Sequence, residues 1–201
     1  MKSLSVKKEI KKIFSESSNT IESSASLSTD IENAVKIITS SFRKGKKLVI
    51  LGNGGSAADA QHIAAEFIGR FQRKRKSLPA IALTTDSSIL TAIGNDFSFD
   101  YVFSRQVEGL VNSGDVVMGI STSGNSVNII NALKLAKTKN AKTVSMLGNN
   151  GGKIKKFSDI AIIVNSSSTP RIQEAHRTIY HIICELVEKN FFYEKLNISS
   201  N

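Results

Sequence analysis

One cysteine, two prolines and no tryptophan among 201 residues exclude several kinds of protein. A lone Cys184 cannot build an internal disulfide framework, and it fits a reducing cytoplasm. It sits in the apolar stretch TIYHIICELVEKNF, where a buried thiol is expected before a nucleophile. No apolar run approaches the roughly eighteen residues that a membrane helix needs. The basic N-terminus MKSLSVKKEIKKIF lacks the long apolar stretch of a secretory signal. A cytoplasmic protein with no membrane partner is expected.

What is abundant is positive charge: 27 Lys plus Arg against 17 Asp plus Glu, a net +10. The basic residues cluster at 2–12, at 43–47 and in RFQRKRK at 70–76, mostly at element ends or in loops. Such an excess suits nucleic acid or small anionic substrates. Aromatics are scarce within these clusters, so a stacking platform for bases is poor. A solvated basic surface is the expectation, with no nucleic-acid partner. The length suits one domain with a substantial core.

Residues 1–44 contain no Gly and no Pro. Ile10, Ile13 and Phe14 form one helical stripe, and Ile31, Ala34, Val35 and Ile38 another. Two helices are expected, broken near Ser26–Thr29, with Thr29 or Asp30 capping the second. They would pack on the main domain, on a partner subunit, or on both. From residue 47 the texture becomes short apolar runs alternating with helical patterns: LVILG (48–52), AIAL (80–83), VVMGI (116–120), TVSML (143–147) and IAIIV (160–164). This alternation predicts an α/β fold with a parallel sheet buried on both faces. A helix at 171–190 closes a domain spanning 45–192, and 193–201 reads as a polar tail.

Two polar seams interrupt the apolar helices. Glu66 follows His62 by four residues, one above the other on a helix, and His181 follows Gln173 by eight, roughly on one face. If the fold joins them, a carboxylate, two imidazoles and an amide meet, a set that can bind a divalent metal or move protons. Spacing equally permits an exposed His–Glu helix pair and a satisfied core histidine. Two loops could hold a substrate at strand ends. Ser121-Thr122-Ser123-Gly124-Asn125-Ser126 offers hydroxyls and helix N–H groups for a phosphate, although Ser126 could be simply an N-cap. Asn53-Gly54-Gly55-Ser56 allows close backbone approach. Gly94-Asn95-Asp96 could present Asp96 to sugar hydroxyls, or be only a helix end and a turn.

GNGGSAADAQHIAAE, GNDFSFDYVFSRQVE, GDVVMGISTSGNS and RIQEAHRTIYHIICELVE together resemble the phosphoheptose isomerases of the sugar isomerase (SIS) domain superfamily, over about residues 30 to 192. The resemblance implies a flavodoxin-like three-layer sandwich with a five-stranded parallel sheet, assembled as a homotetramer with shared active sites. It implies conversion of sedoheptulose 7-phosphate to D-glycero-D-manno-heptose 7-phosphate, the first step toward bacterial heptoses of lipopolysaccharide or capsule. Ser121, Thr122, Ser123 and Ser126 would hold the phosphate; Asn53, Gly54, Gly55, Ser56, Asn95 and Asp96 would line the sugar. Glu66 and His181 match the acid–base pair, with Glu66 and Gln173 also facing substrate. His62, Glu66, Gln173 and His181 match the ligands of one zinc ion per subunit. Ser168-Thr169-Pro170 departs from the acidic residue that some members carry there. The alternative is a non-catalytic tetrameric SIS protein that binds a replication initiator or senses sugar phosphates. Glu66 and His181, both present, favour chemistry.

Overall fold

The computed structural model describes residues 5–198, with side chains described to residue 191. Five parallel strands, β1 (Leu48–Gly52), β2 (Ala80–Ala82), β3 (Val116–Ser121), β4 (Lys142–Leu147) and β5 (Ile160–Ile163), lie in the order β2-β1-β3-β4-β5. All strand pairs are parallel. The helices are α1 (Val6–Ser23), α2 (Ser28–Arg43), α3 (Gly55–Ile68), α4 (Ser87–Asp96), α5 (Ser104–Leu110), α6 (Val127–Thr138) and α7 (Thr169–Ile198).

Side-chain alternation along each strand builds the three layers. Leu48 and Ile50, with Met118, Ile120 and Met146, face α2, α3 and α7. Val49, Leu51 and Val117 face α5 and α6 on the other side. With both faces covered, the inner strands are apolar almost throughout, as a buried parallel sheet requires. Each Leu or Ile so buried contributes about 1.5–3 kcal/mol. At the amino ends of the strands, away from the loops of the candidate site, Asp115 ties β3 to β1. Its carboxylate accepts from Lys47 N (3.0 Å), Lys47 Nζ (2.6 Å) and Asn112 N (2.8 Å).

Several elements differ from the sequence expectation. A 3₁₀ turn at Ser24–Leu27 joins α1 to α2, and α2 starts at Ser28 with Leu27 in the cap position and no side-chain cap. Thr29 and Asp30 therefore lie inside the first turn. The preceding turn already directs the chain, so no capping side chain is needed. The helix of His62 stops at Ile68, short of the basic run at 70–76. The closing helix begins at Thr169 and continues through Ile198, so the first part of the expected tail is helical; 199–201 lie outside the described residues. Along α2, Ile31, Ala34, Val35 and Ile38 are buried in the main core. No residue of α1 is buried.

Candidate active site

The strand order reverses between β1 and β3, and the loops leaving their carboxyl ends lie at that switch point, where open sheets of this kind bind ligands. Asn53, just after β1, reaches across it. Its amide exchanges two hydrogen bonds of 3.0 Å with the amide of Asn128 in the first turn of α6. Asn128 also accepts from Ile129 N at 2.9 Å. Asn128 was not singled out by the sequence, because an Asn near a helix start carries no signal of its own beyond capping.

In the loop after β3, the hydroxyls converge. Ser121 Oγ lies 3.4 Å from Ser123 Oγ and 3.2 Å from Ser126 Oγ, and accepts from Gly124 N at 3.2 Å. Ser126 occupies the N-cap position of α6, yet its side chain makes no capping bond. Its hydroxyl serves the cluster instead. Thr122 holds the loop through its carbonyl, which accepts from Asn149 Nδ2 at 3.0 Å. Gly124 adopts φ +66° against the backbone of Gly151 and Gly152, where a Cβ would overlap Gly151. The loop thus gathers three serine hydroxyls at the start of a twelve-residue helix, an arrangement suited to an anion.

The His62–Glu66 seam meets the His181 end of the other seam. His62 Nε2 lies 3.0 Å from Glu66 Oε1, and the His62 and His181 ring centroids are 5.1 Å apart. Donor atoms of His62, Glu66 and His181 lie within 4.8 Å of one another. The Gln173 amide packs on Gly55 so closely that a Cβ there would overlap Nε2, bringing the Gly-rich turn against α7. Burial first, and then the neighbouring His62, hold the His181 pKa below the usual imidazole value. Tyr180 and Phe71 flank the His181 ring at 4.7 and 5.6 Å. Asn95 and Asp96 end α4, as a helix end, and bond to each other (2.8 Å). Among the described residues, no hydrogen bond joins them to the hydroxyl loop or to the α3–α7 cluster.

A buried ion pair underlies the cluster. Glu188 accepts from the backbone N–H groups of Phe71 (3.0 Å), Gln72 (2.8 Å) and Arg73 (2.9 Å), and from Arg75 Nε (2.9 Å). Arg75 donates through Nη2 to the Glu66 carbonyl (2.7 Å) and through Nη1 to the Phe67 carbonyl (2.8 Å). Those carbonyls belong to the last turn of α3, so the guanidinium caps the helix and explains its early end. Arg75 thus corrects the reading of 70–76 as wholly solvated. Nothing in a run of basic residues marks which one turns inward.

Two imidazole nitrogens and a carboxylate oxygen make a donor set that fits a borderline divalent cation, while the Gln173 amide is placed against Gly55. The hydroxyl loop stands separately, at the carboxyl end of β3. The arrangement can hold a small phosphorylated molecule and move its protons. The model of the SIS domain matches residues 12–148. A phosphoheptose isomerase of Geobacter sp. (strain M21) is 59% identical over 166 residues, covering 83% of this chain and 86% of its own. That of Sulfurimonas denitrificans is 53% identical over 192 residues, covering 96% and 98%. The solved phosphoheptose isomerase of Neisseria gonorrhoeae superimposes with a TM-score of 0.88 at 40% identity, covering 92% of this chain and all of that one. The chain belongs to the SIS-domain family, and within it to the phosphoheptose isomerases.

Proposed function

We infer that the protein is an aldose–ketose isomerase that converts sedoheptulose 7-phosphate to D-glycero-D-manno-heptose 7-phosphate, opening bacterial heptose synthesis for lipopolysaccharide or capsule. The observation that carries this is the meeting of His62, Glu66 and His181 in a member of this family. Ser121, Thr122, Ser123 and Ser126 hold the phosphate with the N-terminus of α6. Asn53, Gly54, Gly55, Ser56 and Gln173 line the sugar, and Asn95 and Asp96 reach its hydroxyls.

Glu66 removes a proton from C1 of the ketose. The C1–H electrons form the C1=C2 double bond, and the carbonyl electrons move to O2, which takes a proton from His181. His181 then removes the O1 proton, C1=O1 forms, and C2 recovers the proton from Glu66. With Oε1 facing His62, Oε2 is the oxygen left for the carbon-bound proton. A zinc ion held by His62, Glu66, Gln173 and His181, one per subunit, would polarise the carbonyl and stabilise the enediolate.

A homotetramer with shared sites is supported by what the single chain leaves uncovered. Val6 and Phe14 on α1 are 74% and 70% exposed. A groove of about 460 Å³ runs between the end of α1, α2 and α7, lined by Ile21, Ile31, Ile179, Ile182 and Leu186. We read residues 1–44 as the segment that carries such contacts. No described helix is long and apolar enough to cross a membrane, and a cytoplasmic setting follows from the substrate and the single thiol.

Turnover of sedoheptulose 7-phosphate in deuterated water tests the function. Aldose product carrying deuterium at C2, abolished in Glu66→Gln, is expected; a shielded proton would leave product without the label. A folded wild type that forms no product with or without added zinc sinks the isomerase reading.

A further inference from the structure

Behind His62, on the side away from Glu66, lies a network of groups that the isomerase chemistry does not use. Asp59 and His62 are three residues apart on α3, and Arg177 and Tyr180 are three apart on the facing α7, so each pair shares a helix face. Tyr180 is fully buried and Asp59 nearly so. The Tyr180 hydroxyl lies 3.0 Å from His62 Nδ1, 3.2 Å from Arg177 Nε and 3.4 Å from Asp59 Oδ1. Arg177 Nη2 donates to the same Asp59 oxygen at 3.1 Å.

Counting protons fixes the direction of every bond. A guanidinium only donates, a carboxylate only accepts, and a phenol has one proton and two lone pairs. A tyrosine phenol carries its proton at neutral pH. If Tyr180 donates to Asp59, its two lone pairs accept from Arg177 Nε and from His62 Nδ1, and every group is satisfied. The reverse arrangement turns the phenol proton toward His62. The phenol and carboxylate oxygens then face each other with no proton between them, at a buried anion.

We propose that Asp59 and Arg177, acting through the Tyr180 hydroxyl, hold His62 in its Nδ1–H tautomer and so present a bare Nε2 to a divalent cation shared with Glu66 and His181. This deepens the metal reading of the site and rests on it. A bare Nε2 at 3.0 Å from Glu66 Oε1 sets two lone pairs against each other, a contact that a cation between them converts into attraction. Asp59, Arg177 and Tyr180 are positioning residues; His62 is the group that touches the ion. Orientation of a histidine ligand by such a partner typically changes metal affinity about 10- to 100-fold.

The test uses the full-length protein, stripped of metal and labelled with ¹⁵N at histidine. His62 is assigned by loss of its signal in His62→Gln. In the spectrum of the neutral imidazole, wild-type His62 is expected to carry its proton on Nδ1, and Tyr180→Phe to show a mixture of tautomers. Competition against a chromophoric zinc chelator is expected to show about 10- to 100-fold weaker zinc binding by Tyr180→Phe, with thermal melting close to wild type. A wild-type His62 carrying its proton on Nε2 would overturn the proposal. So would a Tyr180→Phe protein that binds zinc as tightly as wild type. An Nδ1–H tautomer in a wild type that binds no zinc would support the network and remove the metal reading alone.

Discussion

Glu66 and Glu188 lie within one neighbourhood of α3 and α7 and are used in opposite ways. Glu188 is 2% exposed, and its carboxylate is saturated by three backbone N–H groups and Arg75. The Glu66 side chain is 21% exposed and its carboxylate meets only His62 among the described residues. A carboxylate whose lone pairs are all engaged can hold a loop but cannot take a proton. One that keeps unused acceptor capacity beside two imidazoles can. The two are also linked, because Arg75 connects Glu188 to the carbonyl of Glu66. The saturated acid holds the backbone from which the unsaturated one works.

The largest effect should come from Glu66→Gln, which keeps the shape and removes the base. Turnover is expected to fall about 100- to 10,000-fold with thermal stability nearly unchanged. A melting temperature that fell together with activity would put Glu66 on the structural side of the comparison. Glu188→Ala should do the converse, leaving the Arg75 charge without its counter-ion and three N–H groups without their acceptor in the interior. Urea unfolding should show a loss of about 3–5 kcal/mol. If stability were unchanged, the ion pair would not be the post that the geometry describes.

Ser126→Ala sharpens the same contrast in the hydroxyl loop. An N-cap serine normally contributes about 1 kcal/mol, but this one makes no capping bond. Stability should therefore fall by less than that, while KM for the phosphorylated substrate rises about 10-fold for one lost charge-assisted hydrogen bond. The smallest effect is the acid response. Burial raises the Glu188 pKa, but the N–H groups of Gln72, Phe71 and Arg73 and the Arg75 charge outweigh it, so the value lies below the usual 4.5. Asp115 is likewise held below 3.8, its burial outweighed by Lys47 and Asn112. Their folded values being depressed, these groups contribute stability fully above the unfolded values and lose it as pH falls through the folded ones. Unfolding free energy should decline with falling pH below about 4.5 in wild type, and less steeply in Glu188→Gln.

Much of the site was legible because its signals are local. A four-residue spacing sets His62 over Glu66 wherever a helix forms, and a Ser- and Gly-rich run after an apolar strand exposes donors. The five strands were legible because a doubly covered sheet leaves continuous apolar runs. Arg75, Asn128, Asp59 and Tyr180 were not, since each acquires its role from a residue far along the chain. Tyr180 sits in an apolar helix where an aromatic reads as core, and it is core; only its hydroxyl oxygen has a second employment.

By itself, the sequence determined the alternation of strands and helices, the placing of a hydroxyl loop before α6, and the pairing of His62 with Glu66, because each depends on periodicity or on residues within one or two turns. The tertiary structure alone decided that α3 and α7 bring His62 and Glu66 to His181, that one arginine of a basic run turns inward, and that a buried Asp59 faces Tyr180. These are contacts between residues more than a hundred positions apart. Such contacts are set by how helices pack on a sheet and leave no periodic trace in the chain.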